Sequence, residues 1–416
     1  MPPAAPAPSP SRQAAALLVR GPFARYMLGE GISMTGTWMQ LMAQSWVMTT
    51  LTNSAMMLGM VNFAAGIPMI ALSMLGGSAA DRGDKRNILL VTQVIQIAFA
   101  LLVGRLVATG QIQIWHLLAV AFLLGISNAF EMPAASALVP ELVTKEQVAT
   151  AIAVDRAVFH GTRLIGPALA GFVIGRWSEA AAFYLNAVSY LALIIALLTL
   201  HPRARGTEAE ESQRRSGFRE GLAYVRADAP TLAMIALLAF TTVFVFPILV
   251  VMMPLYAKNL LHLGPDKMGL LMSITGVGSF TGSVGLLAVR RHTRRPLMIG
   301  AVFGICVALT GMSAARQFAF AAPCLILLSL CASTIIGLAN TVVQERAPGS
   351  LRGRVSAIAG LSFVGLLPFA GLGITSVADW LGLRTALVIS AGAYFVGALF
   401  VLRRAGAAVG EEPPAG

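Results

Sequence analysis

Charge is what this sequence has least of. Only 12% of its 416 residues are Asp, Glu, Lys or Arg, whereas 57% are hydrophobic; a soluble globular chain carries about twice that share of charge. A water-soluble fold of this length cannot hide so much apolar surface, so lipid is the solvent for most of the chain. The same scarcity excludes intrinsic disorder, which needs a polar and charged composition. Cysteine is nearly absent: Cys306, Cys324 and Cys331 lie inside apolar stretches, at no spacing that suits a metal knuckle, a redox CxxC or a disulfide framework. Missing too are the GxSxG elbow, the HExxH helix and the Walker loop, so no enzyme signature is present and ATP is not the direct energy source. Gly276-x-Gly278-x-x-x-Gly282 has the wrong spacing for a dinucleotide site and reads as helix packing. No cofactor is implied. The formal charge of +12 would suggest nucleic acid in a soluble protein, but here the basic residues fill short breaks between apolar runs, which is a topological pattern.

Those runs are what the sequence has in abundance. A bilayer core needs about 20 apolar residues in helical form, and runs of this length are too long for barrel strands. The spacing predicts twelve spans at residues 24–50, 54–80, 87–109, 113–139, 147–175, 179–200, 229–257, 266–289, 296–314, 318–344, 353–378 and 383–402. The expected fold is all-α and membrane-embedded, in two pseudo-symmetric six-helix bundles: residues 24–200, then a polar linker at 201–228, then residues 229–404. Residues 1–23, which are Pro/Ala-rich and lack the apolar core of a signal peptide, read as a disordered tail, and 405–416 as a second tail. One set of alternating loops holds only Arg105, Arg176, Lys258, Lys267, Arg316 and Arg384, while the tails and the other set hold nearly all remaining Lys and Arg. The positive-inside bias therefore places both termini in the cytoplasm.

The linker divides the chain into equal sets of spans, and an internal repeat is visible across it. A shift of 209 residues aligns Gly76 with Gly285, Ala79 with Ala288, Arg82 with Arg291, Lys85 with Arg294 and Arg86 with Arg295. Gly125-x-x-Asn128 recurs as Gly337-x-x-Asn340 in the fourth span of each half, each followed by a proline, Pro140 or Pro348. Parallel repeats of this kind are typical of secondary transporters that place substrate between the halves.

The stretch GGSAADRGDKR, Gly76 to Arg86, resembles the inner-loop signature of the major facilitator superfamily. Ser33, Gly36-Thr37-Trp38-x-Gln40, Trp46, Leu51-Thr52-x-Ser54, Leu58-Gly59 and the run 268–283 are similar to its bacterial branch of enterobactin-type siderophore exporters, the transmembrane secretion effectors. The resemblance spans about residues 20–404 and is almost silent on substrate. It implies that the first, fourth, seventh and tenth spans line a central cavity. It also implies a cytoplasmic gate made by Gly77, Asp81, Arg82, Lys85 and Arg86, with Asp81 resting on the start of the eleventh span near Gly353 and Arg354. Arg82 and Arg86 would then pair with Glu141. The alternative is loop charge that only sets topology. The second loop, RRHTRR at 290–295, has no acid, so a matching electrostatic role there is not expected. In the fifth span, Gly166-Pro167 and Ala170-Gly171 are similar to the antiporter signature of exporting members, with Thr162 where a glycine is usual; ordinary helix packing is the competing reading.

Ionisable groups inside a span cost roughly 2.5–3.5 kcal/mol even on lenient scales, and so mark functional candidates. Glu30 lies two turns into the first span, and Glu131 lies one turn from Asn128 in the fourth, on the same side. Glu131 is either a proton carrier, with Glu30 second, or a structural partner of Arg156 at matching depth. Arg163 would attract an anionic substrate or satisfy helix-end carbonyls, and His160 would sense pH or simply pack. Gln40 from the first half and Asn340 and Gln344 from the second complete the polar cavity candidates. The reading that follows is a monomeric secondary transporter of the bacterial inner membrane, exchanging protons for siderophores or amphipathic, drug-like small molecules by alternating access. An importer of the same fold, or a non-transporting membrane sensor or lipid-handling scaffold, stands as the alternative.

Overall fold

A computed structural model describes residues 10–200 and 218–405; the outermost parts of both expected tails and most of the linker lie outside these. The described residues are helical, with no strand among them. The chain runs through α1 (Pro10–Val19), α2 (Pro22–Leu51), α3 (Ala55–Arg82), α4 (Lys85–Ala108), α5 (Ile114–Leu138), α6 (Val148–Arg176) and α7 (Glu179–Leu198). It continues through α8 (Phe218–Ala227), α9 (Ala229–Phe244), α10 (Pro265–Gly285), α11 (Arg294–Ala314), α12 (Phe318–Arg346), α13 (Arg352–Val364), α14 (Leu367–Leu381) and α15 (Leu383–Ala405). Ten described helices or helix pairs are long and apolar enough to cross a membrane. The helices α2 and α10, which cover the first and eighth expected spans, are diluted by Gly, Ser, Thr and, in α2, by Glu30, Gln40 and Gln44. Large apolar side chains such as Val91, Phe172, Val188, Phe280, Val307 and Val396 face outward, which only a lipid solvent makes favourable.

Three local departures from the expected spans have physical causes. The seventh is not one helix: α9 gives way to short turns at Phe246–Val250 and Met253–Leu255 and a π turn at Tyr256–Leu260. Pro247 and Pro254 lack the N–H that an uninterrupted helix would use. Pro368 likewise breaks the eleventh span into α13 and α14. Third, residues read as tail and linker contain ordered helix. α1 packs Ala14 and Leu17 onto the core around Phe23 and Tyr26, and α8 lies against the start of α13, where Gly221 faces Arg354 and Ile358.

Within residues 22–198, α2 packs on α6 and α7, α3 on α5, and α4 on α5 and α7. Residues 229–405 repeat the theme, with α10 and α11 on α12, and α9 and α11 on α15. The two segments meet chiefly through α6 with α10 and α3 with α14, contacts that exchange roles when the halves are exchanged. At the first of these the backbones nearly touch: a Cβ on Gly171 would stand 2.7 Å from the carbonyl oxygen of Pro265, and one on Gly269 would collide with that of Pro167. Small residues are what permit such an approach.

Candidate functional site

Between α2, α3, α4, α5 and α7 lies a chamber of about 250 Å³ walled by Met34, Trp38, Leu41, Met48, Leu58 and Val61, with Gln40, Gln44, Asn62, Gln96, Asn128 and Tyr190 as its polar groups. Gln40 accepts from Asn186 Nδ2 at 2.7 Å, and Thr37 donates to the Tyr190 hydroxyl at 3.2 Å, so part of this polar lining is fixed from behind. Arg163 sits 5.5 Å over the Trp38 ring, a cation–π arrangement. A second chamber of similar size adjoins it through Met34, Thr37, Gln96 and Asn128, and is bordered by Glu30, Glu131, Asp155 and Arg156. The first chamber carries no charge; the second concentrates three acids against one base.

Glu131 is held on both oxygens. Gln93 Nε2 donates to Oε1 at 2.8 Å, and Gln96 Nε2 donates to Oε2. Ser33 Oγ donates in turn to Gln93 Oε1 at 3.2 Å. Glu131 therefore belongs to an amide clamp rather than to an ion pair with Arg156, whose nearest acid is Asp155 at 3.9 Å. Sequence reasoning missed Gln93 and Gln96; their spacing of three on one face of the third span, within an otherwise apolar run, is the signal available. Glu30 borders the acidic chamber, whereas Arg163, Asn340 and the exposed Gln344 border neither chamber. Apart from Val251, every residue bordering the two chambers comes from the first 200.

The end of the molecule that holds Lys85 and Arg294, here the basic face, carries a set of ion pairs. Lys85 Nζ meets Glu141 at 2.8 Å, whereas Arg86 turns away to donate to the Leu198 carbonyl at 3.2 Å. The loop at 290–295 has an electrostatic role after all: Arg294 grips both oxygens of Glu345 at 2.7 and 2.9 Å, with Arg291 at 3.7 Å. The repeat thus preserves the pairing, a base at the start of the third helix with an acid near the end of the fourth, although the acid comes from another helix and not the loop. Arg354, expected near Asp81, instead binds Glu220 of α8 at 2.5 Å. Asp84 caps the N-terminus of α4, accepting from Arg86 N at 2.9 Å. Gly77 has open space where a Cβ would stand. Arg346 forms a two-pronged pair with Asp228 at 2.7 and 2.9 Å, and Tyr224 donates to the Arg346 carbonyl at 2.7 Å. Burial alone would raise the Asp228 carboxyl; hydrogen bonds from Arg346 and Thr231 outweigh it and hold the group below its ordinary value.

At the far face the segments are tied directly. Asp379, near the end of α14, accepts from Ser54 Oγ and Ala55 N, both at 2.5 Å, and from Met56 N at 3.2 Å. A carboxylate from one segment thereby rests on the free N–H groups at the start of α3. Lys258 Nζ donates to the carbonyl of Thr49, in the last turn of α2, placing a cation at a helix C-terminus. Both charges oppose the dipole they touch. In the fifth span, Gly166 packs on Thr35 and Trp38, while Pro167 and Gly171 form the α10 contact.

This architecture, a lipid-facing helical shell around a partly polar internal cavity, is that of a membrane transporter of small molecules rather than an enzyme. The chain matches the transmembrane secretion effector family over residues 14–412 and belongs to it, and hence to the major facilitator superfamily of multi-pass secondary transporters. It is 24% identical over 400 residues, 92% of its own length and 95% of the relative's, to the multidrug efflux pump Tap of Mycolicibacterium fortuitum. A staphyloferrin A transporter of Staphylococcus aureus shares 30% identity over 169 residues, 40% of this chain and 42% of that one. Among solved structures, a bacterial homologue of the lysosomal transporter Spinster, inward-facing and unoccupied, superposes with a TM-score of 0.71 at 14% identity, covering 97% of this chain and 99% of that one.

Proposed function

We propose that this protein exports amphipathic small molecules across the bacterial cytoplasmic membrane in exchange for protons, by alternating access between two six-helix halves. In this reading the chain crosses the membrane twelve times and works as a monomer, with the basic face and both termini in the cytoplasm. The distribution of Lys and Arg among the loops supports that orientation. The length of α2, 30 residues or about 45 Å at 1.5 Å per residue, supports a first crossing despite its polar content. In this reading the far face is the closed one, because Asp379 and Lys258 fasten it, while Arg354 is engaged by Glu220 of α8.

The observation that carries the reading is the placement of Glu30 and Glu131 on a chamber that adjoins an uncharged, largely apolar one. A carboxyl group inside a membrane protein that borders water from one side at a time is suited to take up and release a proton. The neighbouring apolar chamber suits the body of a lipophilic substrate. Drug efflux by the full-length relative favours drug-like compounds, and the shorter match favours siderophores within the same class.

The test is transport by purified protein in proteoliposomes bearing an imposed pH gradient, with ethidium and a carboxylate siderophore as separate probes. Proton-driven movement of at least one is expected, with Glu131→Gln slowing it tenfold or more. Equal gradient-driven transport by Glu131→Gln would remove Glu131 from the cycle, and uptake of both probes only in the opposite sense would make the protein an importer.

A further inference from the structure

Glu131 is held by two amides that differ in one respect. Gln93 is fully buried, its carbonyl occupied by Ser33, and it borders neither chamber. Gln96 borders both chambers. A carboxamide has a donor end and an acceptor end. With one N–H committed to Glu131, the acceptor end of Gln96, its oxygen, is left for a donor from the chamber.

We propose that Gln96 is the positioning residue that links occupancy of the uncharged chamber to the charge on Glu131, a role that rests on the transport reading above. While Glu131 is a carboxylate, it requires a donor, so Gln96 keeps its NH2 on Glu131 and turns its carbonyl to the chamber. A ligand bearing a hydroxyl, ammonium or amide N–H is then accepted at that point, and the polarised amide binds the carboxylate more firmly. When Glu131 takes a proton, its O–H seeks an acceptor. Gln96 turned over supplies one and presents NH2 to the chamber, where the ligand's donor now meets a donor. Ligand and proton thereby exclude one another without touching, which is what exchange of one for the other requires. Gln93, locked by Ser33, holds Glu131 in place while Gln96 turns. The other groups facing Glu131 are Glu30, Asp155 and Arg156 in the acidic chamber, with Tyr26 and Tyr190 within electrostatic reach. They set the baseline at which Glu131 titrates and are common to all variants compared below.

The experiment is an infrared difference titration of the full-length protein in lipid, with the protonated Glu131 band assigned by its loss in Glu131→Gln. Ethidium, an aromatic cation bearing primary amines, serves as the probe. In the parent protein, saturating ethidium is expected to move the pH midpoint of that band down by about one unit, a tenfold change in proton affinity. Gln96→Met, near in volume but without donor or acceptor, is expected to titrate at higher pH and to lose the ethidium-induced shift. Gln93→Met should also titrate at higher pH yet keep the shift. Absence of an ethidium-induced shift in the parent, or its persistence in Gln96→Met, overturns the proposal. Failure of the transport reading shows separately, as absence of proton-driven flux of either probe by the parent protein in proteoliposomes.

Discussion

At the scale of single residues, the chemistry concentrates in a few carboxylates whose surroundings differ. Asp228 caps α9 through Thr231 N at 3.0 Å and is clasped by Arg346. Because its folded-state carboxyl is held below the ordinary value, it contributes stability that is present above the unfolded value near pH 4 and is lost as pH falls through the lower folded one. Asp228→Asn should therefore melt below the parent at pH 7 by an amount equivalent to about 1 kcal/mol, the pair being only partly buried. The two melting curves should converge as pH falls through the lowered folded-state value; a gap that persists in stronger acid would assign the effect to packing. Residues of this scale were unequally legible in the sequence. Glu30 and Glu131 stood out because a charge in an apolar run is costly. Gln93 and Gln96 did not, because a neutral amide disturbs hydropathy little and its importance lies wholly in what stands opposite. The pairing of Arg294 with Glu345 escaped notice for a related reason: the partner lies 51 positions away on another helix.

Among elements, the decisive feature is the approach of α6 to α10. Gly166-Pro167 and Gly171 were visible as a motif, and Gly269 as part of the run 268–283, but not their juxtaposition, which exists only once the helices are brought together. Any side chain at 269 pushes on backbone, which cannot swing aside. Gly269→Ala is expected to destabilise by about 1–3 kcal/mol, as overpacking does, and to slow transport. Thermal melting in detergent beside proteoliposome flux checks both. The breaks at Pro247, Pro254 and Pro368 were written in the sequence, and reading whole apolar runs as single helices overrode them. α8 was readable as well: FREGLAYVRA places Leu222 and Val225 on one face, a pattern easily lost in a stretch otherwise polar.

For the whole molecule, the alternating-access reading proposed above puts the conformational balance on the far face. Asp379→Asn keeps the shape of the side chain but withdraws the charge from the N-terminus of α3. Each such exposed charge–dipole contact contributes about 0.3–1 kcal/mol, so the population of the state closed at the far face should fall up to roughly fivefold relative to its alternative. Distances between spin labels at the basic-face ends of α3 and α13 report this directly: the parent should favour the long distance and Asp379→Asn should enrich the short one. An unchanged distribution would show that the α6–α10 and α3–α14 packing alone decides the balance. The overall division into membrane helices was the most legible level of all, since it follows from hydropathy. Which face is fastened was not, because it depends on a serine, a lysine and an aspartate at the margins of apolar runs, where sequence pattern is weakest.

Nearly all of the walls around both chambers belong to residues before position 200. On the transport reading proposed above, such lopsidedness would divide labour: the leading portion would choose the cargo, and the trailing portion would act as a shutter that decides when the cargo is seen. Chimeras joining these two portions from different relatives should accordingly inherit their compound preference from the leading parent and their pace of turnover from the trailing one.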